Sequence, residues 1–241
     1  MFYQKFGSSK KWLVFLHGWG ADQNSFLWLK DCFEDNYSLL FLDFPGFGKS
    51  EKFDFKMTLN DYVFRLKEIL SRFEIESLTF VAHSFGGRVA IKYLFFYQDF
   101  YKQTALCLVD SAGILPRRGF GYWWKVYRFK SLKLKSINNV KLRGKLEKFG
   151  SDDYKKLDMN MRQTFISIVN EDLTNHARFL RCKTLIVWGS KDRDTKLYMA
   201  RKFNRLIKDS KLVILKDAGH FCFLEKREDF VIILDSFLKN L

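Results

Sequence analysis

A serine hydroxyl becomes a useful nucleophile only when a neighbouring base takes its proton, and that base needs an acid to fix its tautomer. The chain offers a candidate for each part. Phe80-Val81-Ala82-His83-Ser84-Phe85-Gly86-Gly87 runs from a buried apolar segment, through a serine between small residues, straight into the helical Arg88-Val89-Ala90-Ile91. This is the strand–turn–helix setting of a nucleophile elbow, a turn so sharp that Ala82 and Gly86 must be small to let its arms approach. Ala82 stands where the G-x-S-x-G pattern has its first glycine, a small-for-small change.

Four histidines could serve as base: His17, His83, His176 and His220. His83 adjoins the serine in a turn that should send its side chain elsewhere. His17, in Leu16-His17-Gly18-Trp19-Gly20, reads as a loop-ordering residue, and His176 has no carboxylate pattern around it. His220 follows the last apolar run, in Asp217-Ala218-Gly219-His220-Phe221, at the sheet edge where the catalytic loops of open α/β folds collect. For the acid, Asp192 in Gly189-Ser190-Lys191-Asp192 is favoured, with Asp194 and Asp110 as alternatives that also lie near strand ends. The order serine, aspartate, histidine differs from the orders of the unrelated serine proteases.

Six short runs must position these residues: Trp12–Gly18, Tyr37–Phe44, Ser77–Ser84, Thr104–Ser111, Lys183–Ser190 and Ser210–Asp217. None alternates apolar with polar, as expected of strands buried on both faces of a parallel sheet. Helical patterns lie between them at Thr58–Phe73, Gly86–Tyr97, Lys196–Ile207 and Lys226–Leu238, with Thr58 or Asn60 as a possible cap for the first. The alternation predicts an α/β fold, a mostly parallel sheet with helices on both faces. Between Ser111 and Lys183 the rhythm stops for about seventy residues, too long for a structureless loop, so an inserted helical subdomain is expected there. The domain reading is therefore a core of residues 1–113 and 181–241, with a helical insertion at 114–180.

At 241 residues and 47% hydrophobic content, the chain can fill a core without disulfide or metal staples. The four cysteines form no C-x-x-C pair, which argues against a zinc site or redox dithiol and reads as four buried thiols in a reducing cytosol. The N-terminal apolar run is too short for a signal peptide or a membrane span, so a cytoplasmic location is expected. A net charge of +15 favours acidic partners without choosing among them. The charge is concentrated in the stretch Arg117–Ser136, where Arg117, Arg118, Lys125, Arg128, Lys130, Lys133 and Lys135 occur without an intervening acid. Arg118-Gly119-Phe120-Gly121-Tyr122 runs near an RNA-binding signature, but Trp123 and Lys125 break it, and specific nucleic-acid binding is not expected.

Taken in order, His17-Gly18-Trp19-Gly20, Asp43-Phe44-Pro45-Gly46-Phe47-Gly48-Lys49-Ser50, the elbow, Gly189–Asp192 and Gly219-His220 resemble an α/β-hydrolase over nearly the whole chain outside the insertion. The resemblance implies catalytic Ser84, Asp192 and His220, an oxyanion hole made by the backbone N–H groups of Trp19 and Phe85, and loop-shaping roles for Asp43 and Gly48. It also implies that the insertion is a cap over the site. No metal or organic cofactor is called for. The serine argues against epoxide hydrolases and dehalogenases, whose members use aspartate at that position.

Two branches of the family are similar. Pimeloyl-acyl-carrier-protein methyl ester esterases share the HGWG turn, the DFPGFGKS loop and a basic cap, which would suit an acidic acyl carrier protein, but they usually carry Trp where this chain has His83. Meta-cleavage-product hydrolases, which split carbon–carbon bonds in 2-hydroxy-6-oxo-dienoates, share the Ser111-Ala112-Gly113-Ile114 turn. The expectation is a serine hydrolase acting on a small-molecule ester or acyl substrate through an acyl-enzyme, with carbon–carbon hydrolysis as the alternative. In the insertion Trp123, Trp124 and Arg128 are candidate substrate contacts. A non-catalytic basic binding protein on the same scaffold is the competing class.

Overall fold

The structure is a computed structural model describing residues 1–117, 119, 124, 127, 131 and 159–241. Its strands are β1 (Tyr3–Phe6), β2 (Lys11–Leu16), β3 (Ser38–Leu42), β4 (Ser77–His83), β5 (Gln103–Val109), β6 (Lys183–Gly189) and β7 (Ser210–Leu215). They form one sheet in the order β1-β3-β2-β4-β5-β6-β7, parallel throughout except for β1, which pairs antiparallel with β3. The six apolar runs are six of these strands. β1 has no counterpart among the expected strands, because four residues reading Tyr-Gln-Lys-Phe carry no apolar run.

Side chains of each strand alternate between two cores, as the pleat requires. Trp12, Val14 and Leu16 of β2 face one core, and Leu13 and Phe15 face the other. The first core is closed by α3 (Leu59–Leu70), α4 (Phe85–Tyr97), α5 (Met159–Val169) and α7 (Leu197–Leu206), and the second by α1 (Asn24–Leu27), α2 (Lys30–Phe33), α8 (Cys222–Glu225) and α9 (Arg227–Lys239). A short α6 (Thr174–Arg178) leads back into β6. β7 corrects one expectation: it is only partly buried, with Ile214 41% exposed, because it lies at the edge of the sheet rather than inside it.

Local chemistry explains the helix that flanks the elbow's partner loop. Thr58 caps α3 through a reciprocal arrangement in which the Asp61 carboxylate accepts the Thr58 N–H at 2.7 Å, which satisfies an otherwise orphaned first-turn donor. Arg88 and Lys92 are buried on α4, among residues that otherwise fill the core. The cysteine expectation also needs correction: Cys107, Cys182 and Cys222 are buried, whereas Cys32 is exposed. Among the described residues no helix is long and apolar enough to cross a membrane.

Candidate active site

The carboxyl ends of β2, β4, β5, β6 and β7 all point to one edge of the sheet, so residues placed just past them meet. Ser84 follows β4 directly, at φ 48° and ψ −108°, a backbone state that costs a non-glycine residue roughly 1–3 kcal/mol. The turn is held from both sides, with the Ser84 N–H donating to Val109 at 3.0 Å and its carbonyl accepting from Gly87 and Ala112 at 3.1 Å each. Gly86 is required here: a Cβ would lie 2.2 Å from the Leu16 carbonyl oxygen. Phe85 opens α4, where its N–H has no carbonyl within the helix to bond, and the helix presents its positive end to the same spot.

His220 and Asp192 reach Ser84 from the other strands. His220 Nε2 lies 3.1 Å from Ser84 Oγ, and His220 Nδ1 lies 2.9 Å from Asp192 Oδ2. The acid loop just past β6 is rigid. Asp192 Oδ1 accepts the N–H groups of Asp194 and Thr195 at 2.8 and 3.0 Å, and Thr195 Oγ1 donates to Asp192 Oδ2 at 2.6 Å. The base loop past β7 folds back across β6: Lys191 N–H bonds the Ala218 carbonyl at 2.8 Å, and Gly189 has no room for a Cβ, which would sit 2.1 Å from the Gly219 oxygen.

Electrostatics suit proton transfer. Burial alone would lower the His220 pKa, but the Asp192 hydrogen bond and charge, with Asp110 and Asp194 behind, outweigh it and raise it above the ordinary imidazole value. Burial likewise works against ionised Asp192, yet hydrogen bonds from His220 and Thr195 prevail and hold its pKa below the usual carboxylate value. A serine aimed at a histidine whose other nitrogen is held by a carboxylate can attack a carbonyl carbon while passing its proton to the ring.

The competing acids have other positions. Asp194 contributes its backbone N–H to Asp192, while Asp110 is fully buried and accepts the Gly189 N–H at 2.8 Å and, more loosely, the Cys222 N–H at 3.4 Å. Burial raises the Asp110 pKa to about 7. Asp192, Asp194 and His220 also offer ligand atoms within 4.8 Å of one another, but their hydrogen bonds already account for the grouping.

Around the serine the described wall is aromatic. Trp19 meets Phe47, Phe85 and Phe165 edge-on, with ring centroids 4.9, 5.4 and 5.1 Å away. Phe165 belongs to α5, so the region of the expected insertion supplies part of this wall. His17 ties the turn below it, donating from Nδ1 to the Gly18 carbonyl at 2.7 Å and accepting the Phe44 N–H on Nε2 at 3.0 Å. Asp43 gathers the next loop, accepting N–H groups from Gln23 at 2.8 Å and Lys49 at 2.7 Å. Gly48, at φ 52°, leaves no space for a Cβ, which would lie 2.3 Å from that carboxylate.

Two residues escaped the sequence reading. Thr195 braces the acid, but a threonine three places after an aspartate carries no distinctive signal. His83, instead of turning away, donates from Nε2 to the His220 carbonyl at 2.8 Å. Of the candidate contacts in the insertion, Trp124 is 55% exposed and stacks on Tyr127 at 6.0 Å between centroids. Trp123 and Arg128 lie outside the described residues, as do Arg118, Lys125, Lys130, Lys133 and Lys135. Arg117 is described: its N–H bonds the Tyr198 hydroxyl at 2.9 Å and its guanidinium lies 4.9 Å from the centre of that ring.

The chain is 23% identical to the AB hydrolase superfamily protein YisY of Bacillus subtilis, over 93% of this chain and 90% of that one. It is 27% identical to Lipase 3 of a Moraxella species, over 90% of this chain and 74% of the lipase. An esterase from Exiguobacterium antarcticum superposes with a TM-score of 0.75 at 24% identity, covering 99% of this chain and 95% of the esterase. A meta-cleavage product hydrolase from Pseudomonas fluorescens shares the fold with a TM-score of 0.73 at 17% identity, covering 99% and 93%. Residues 13–232 match the sequence profile of the Alpha/beta hydrolase family, and the chain is an enzyme of that family.

Proposed function

We propose that this enzyme is a serine hydrolase that cleaves carboxylic esters through an acyl-enzyme on Ser84. The observation that carries the reading is the hydrogen-bonded path from Asp192 through His220 to Ser84 Oγ, built from three separate loops. Ser84 Oγ attacks the ester carbonyl as His220 Nε2 takes its proton. The tetrahedral oxyanion collects the backbone N–H groups of Trp19 and Phe85, each such donor being worth about 10²–10³ in turnover. Collapse expels the alcohol, which takes the proton from His220. Water then attacks the acyl-enzyme, giving its proton to His220, and the acid leaves as Ser84 regains its hydrogen. Residues 114–180 act as a cap over this site, a reading supported by Phe165 against Trp19.

The relatives named lipases and the fold neighbour named an esterase agree with ester cleavage. A second reading has support too, since a 23% identical relative from Escherichia coli is named a 2-hydroxy-6-oxononadienedioate hydrolase. The aromatic wall of Trp19, Phe47, Phe85 and Phe165 suits an apolar acyl group better than a charged dienedioate end, and so favours the ester. Delivery of that acyl group by an acidic acyl carrier protein would suit the basic stretch that begins at Arg117.

The test is hydrolysis of p-nitrophenyl esters, thioesters, carrier-bound esters and dienoates by the wild type and by Ser84→Ala and His220→Ala. Ester turnover that falls by at least about 10³-fold in both variants is expected. Retained turnover in both would overturn the mechanism, and faster cleavage of dienoates than of esters would favour the second reading.

A further inference from the structure

His83 ends β4 immediately before the nucleophile and is 1% exposed. Its ring stands 4.8 Å from the His220 ring and 5.0 Å from each of Phe221 and Phe223, so one side of it packs against the loop that carries the base. The 2.8 Å bond to the His220 carbonyl requires the proton on Nε2. Nδ1 is shut from solvent and has no hydrogen-bond partner. It faces Gly18, where a Cβ would come within 2.6 Å, at the start of the turn that holds Trp19. Burial, with the nearby charge of His220, draws the His83 pKa down to about 3, while Asp192 acts in the opposite sense and His17 in the same one. The ring is thus neutral, in one tautomer, at any ordinary pH.

We propose that His83 is a positioning residue: its Nε2–H fixes the main chain of His220 and so sets the reach of the base to Ser84, while its bare Nδ1 edge lets the Gly18 turn close over the site. The proposal rests on the assignment of Ser84 and His220 as nucleophile and base. It makes one side chain the joint between three loops. It is bonded covalently to the elbow, by hydrogen bond to the base loop, and by close contact to the turn of the oxyanion hole.

The position of a single atom tests this. Glutamine carries its amide nitrogen as many bonds from Cα as histidine carries Nε2, whereas asparagine carries it only as far as Nδ1. His83→Gln keeps the donor in reach of the carbonyl, and His83→Asn withdraws it. In ester hydrolysis His83→Asn is expected to lose about 10–100-fold in kcat, the scale of an ångström-sized misplacement, with KM changed less than about twofold, and His83→Gln to recover most of the loss. In histidine NMR the wild type should show a slowly exchanging Nε2 proton on a neutral His83, and the His220 ring signals should move further in His83→Asn than in His83→Gln, the two variants sharing only the loss of the neighbouring ring.

A wild-type kcat in His83→Asn, or equal impairment and equal His220 shifts in the two variants, would overturn the proposal. Rapid exchange of the wild-type His83 proton would do so even if neither variant folds. Labelling of Ser84 by a fluorophosphonate separates the two assignments. A wild type that neither labels nor turns over ester, in a protein whose His220 signals move further in His83→Asn than in His83→Gln, would sink the serine-hydrolase reading and leave the positioning role standing.

Discussion

Leu173 donates its backbone N–H to the carbonyl of Gly113 at 2.8 Å, so the two limbs that lead into and out of residues 114–172 are held side by side. The return limb is fastened to the nucleophile helix beneath it. Arg88 donates to the carbonyls of Glu171 at 2.7 Å and Val169 at 3.2 Å, and Lys92 pairs with the Glu171 carboxylate. Four residues after Ser84, then, the helix that shapes the elbow also grips the root of the expected cap.

Glu171→Ala should be destabilising out of proportion to its position near the surface. It leaves the Lys92 ammonium, on a side chain only 8% exposed, without its counter-charge, and removing one partner of such a buried pair costs about 3–5 kcal/mol. The double variant Lys92→Leu/Glu171→Leu should recover much of that loss. Urea melts of the two proteins check it, and equal stability of single and double variants would mean that the pair is not coupled.

The acid limb of the pH–rate profile should report His220. The base works only when neutral, and its pKa is raised, so kcat/KM should fall on acidification from above the ordinary imidazole value of 6.5. Asp192→Asn removes the hydrogen bond and charge that raise it. That variant should lose about 10²–10⁴-fold in kcat, with the acid limb displaced to lower pH. A limb that stays in place would detach Asp192 from the base.

Asp110 should make stability depend on pH in the opposite sense to an ordinary surface carboxylate. Its pKa in the folded protein, about 7, lies above the ordinary carboxylate value of 3.8, chiefly through burial, so the folded protein binds the extra proton. The associated stability is fully present below pH 3.8 and is lost as pH rises through about 7. Asp110→Asn keeps an oxygen for the Gly189 N–H but cannot ionise. Its Tm should therefore vary less than the wild type's between about pH 5 and 8. Parallel Tm curves for the two proteins would refute the assignment.

Much of the scaffold was legible in the sequence because strands buried on both faces leave continuous apolar runs. That Ser84, Asp192 and His220 meet was legible for a related reason, since each lies just past such a run. What the sequence hid was direction and brevity. α1 and α2 are four residues each, too short to show a period, although Phe26 and Phe33 anchor them in the second core. The His83 ring lies beside Ser84 in sequence, but it ends β4 on the face of Val81, and only the packing of that face brings it to a carbonyl 137 residues away. Thr195 serves Asp192 through a local turn that many threonines could make.

The described non-glycine residues with left-handed backbones are Ser84, Asp110 and Asp217, one just beyond each of β4, β5 and β7. The rim of the sheet thus carries three backbone conformations that a side chain strains. At Ser84 the proposed nucleophile and thermal endurance compete for one position: a glycine there would relax the backbone and remove the hydroxyl in one step. Variants selected for heat resistance alone would drift towards this rim, and away from chemistry.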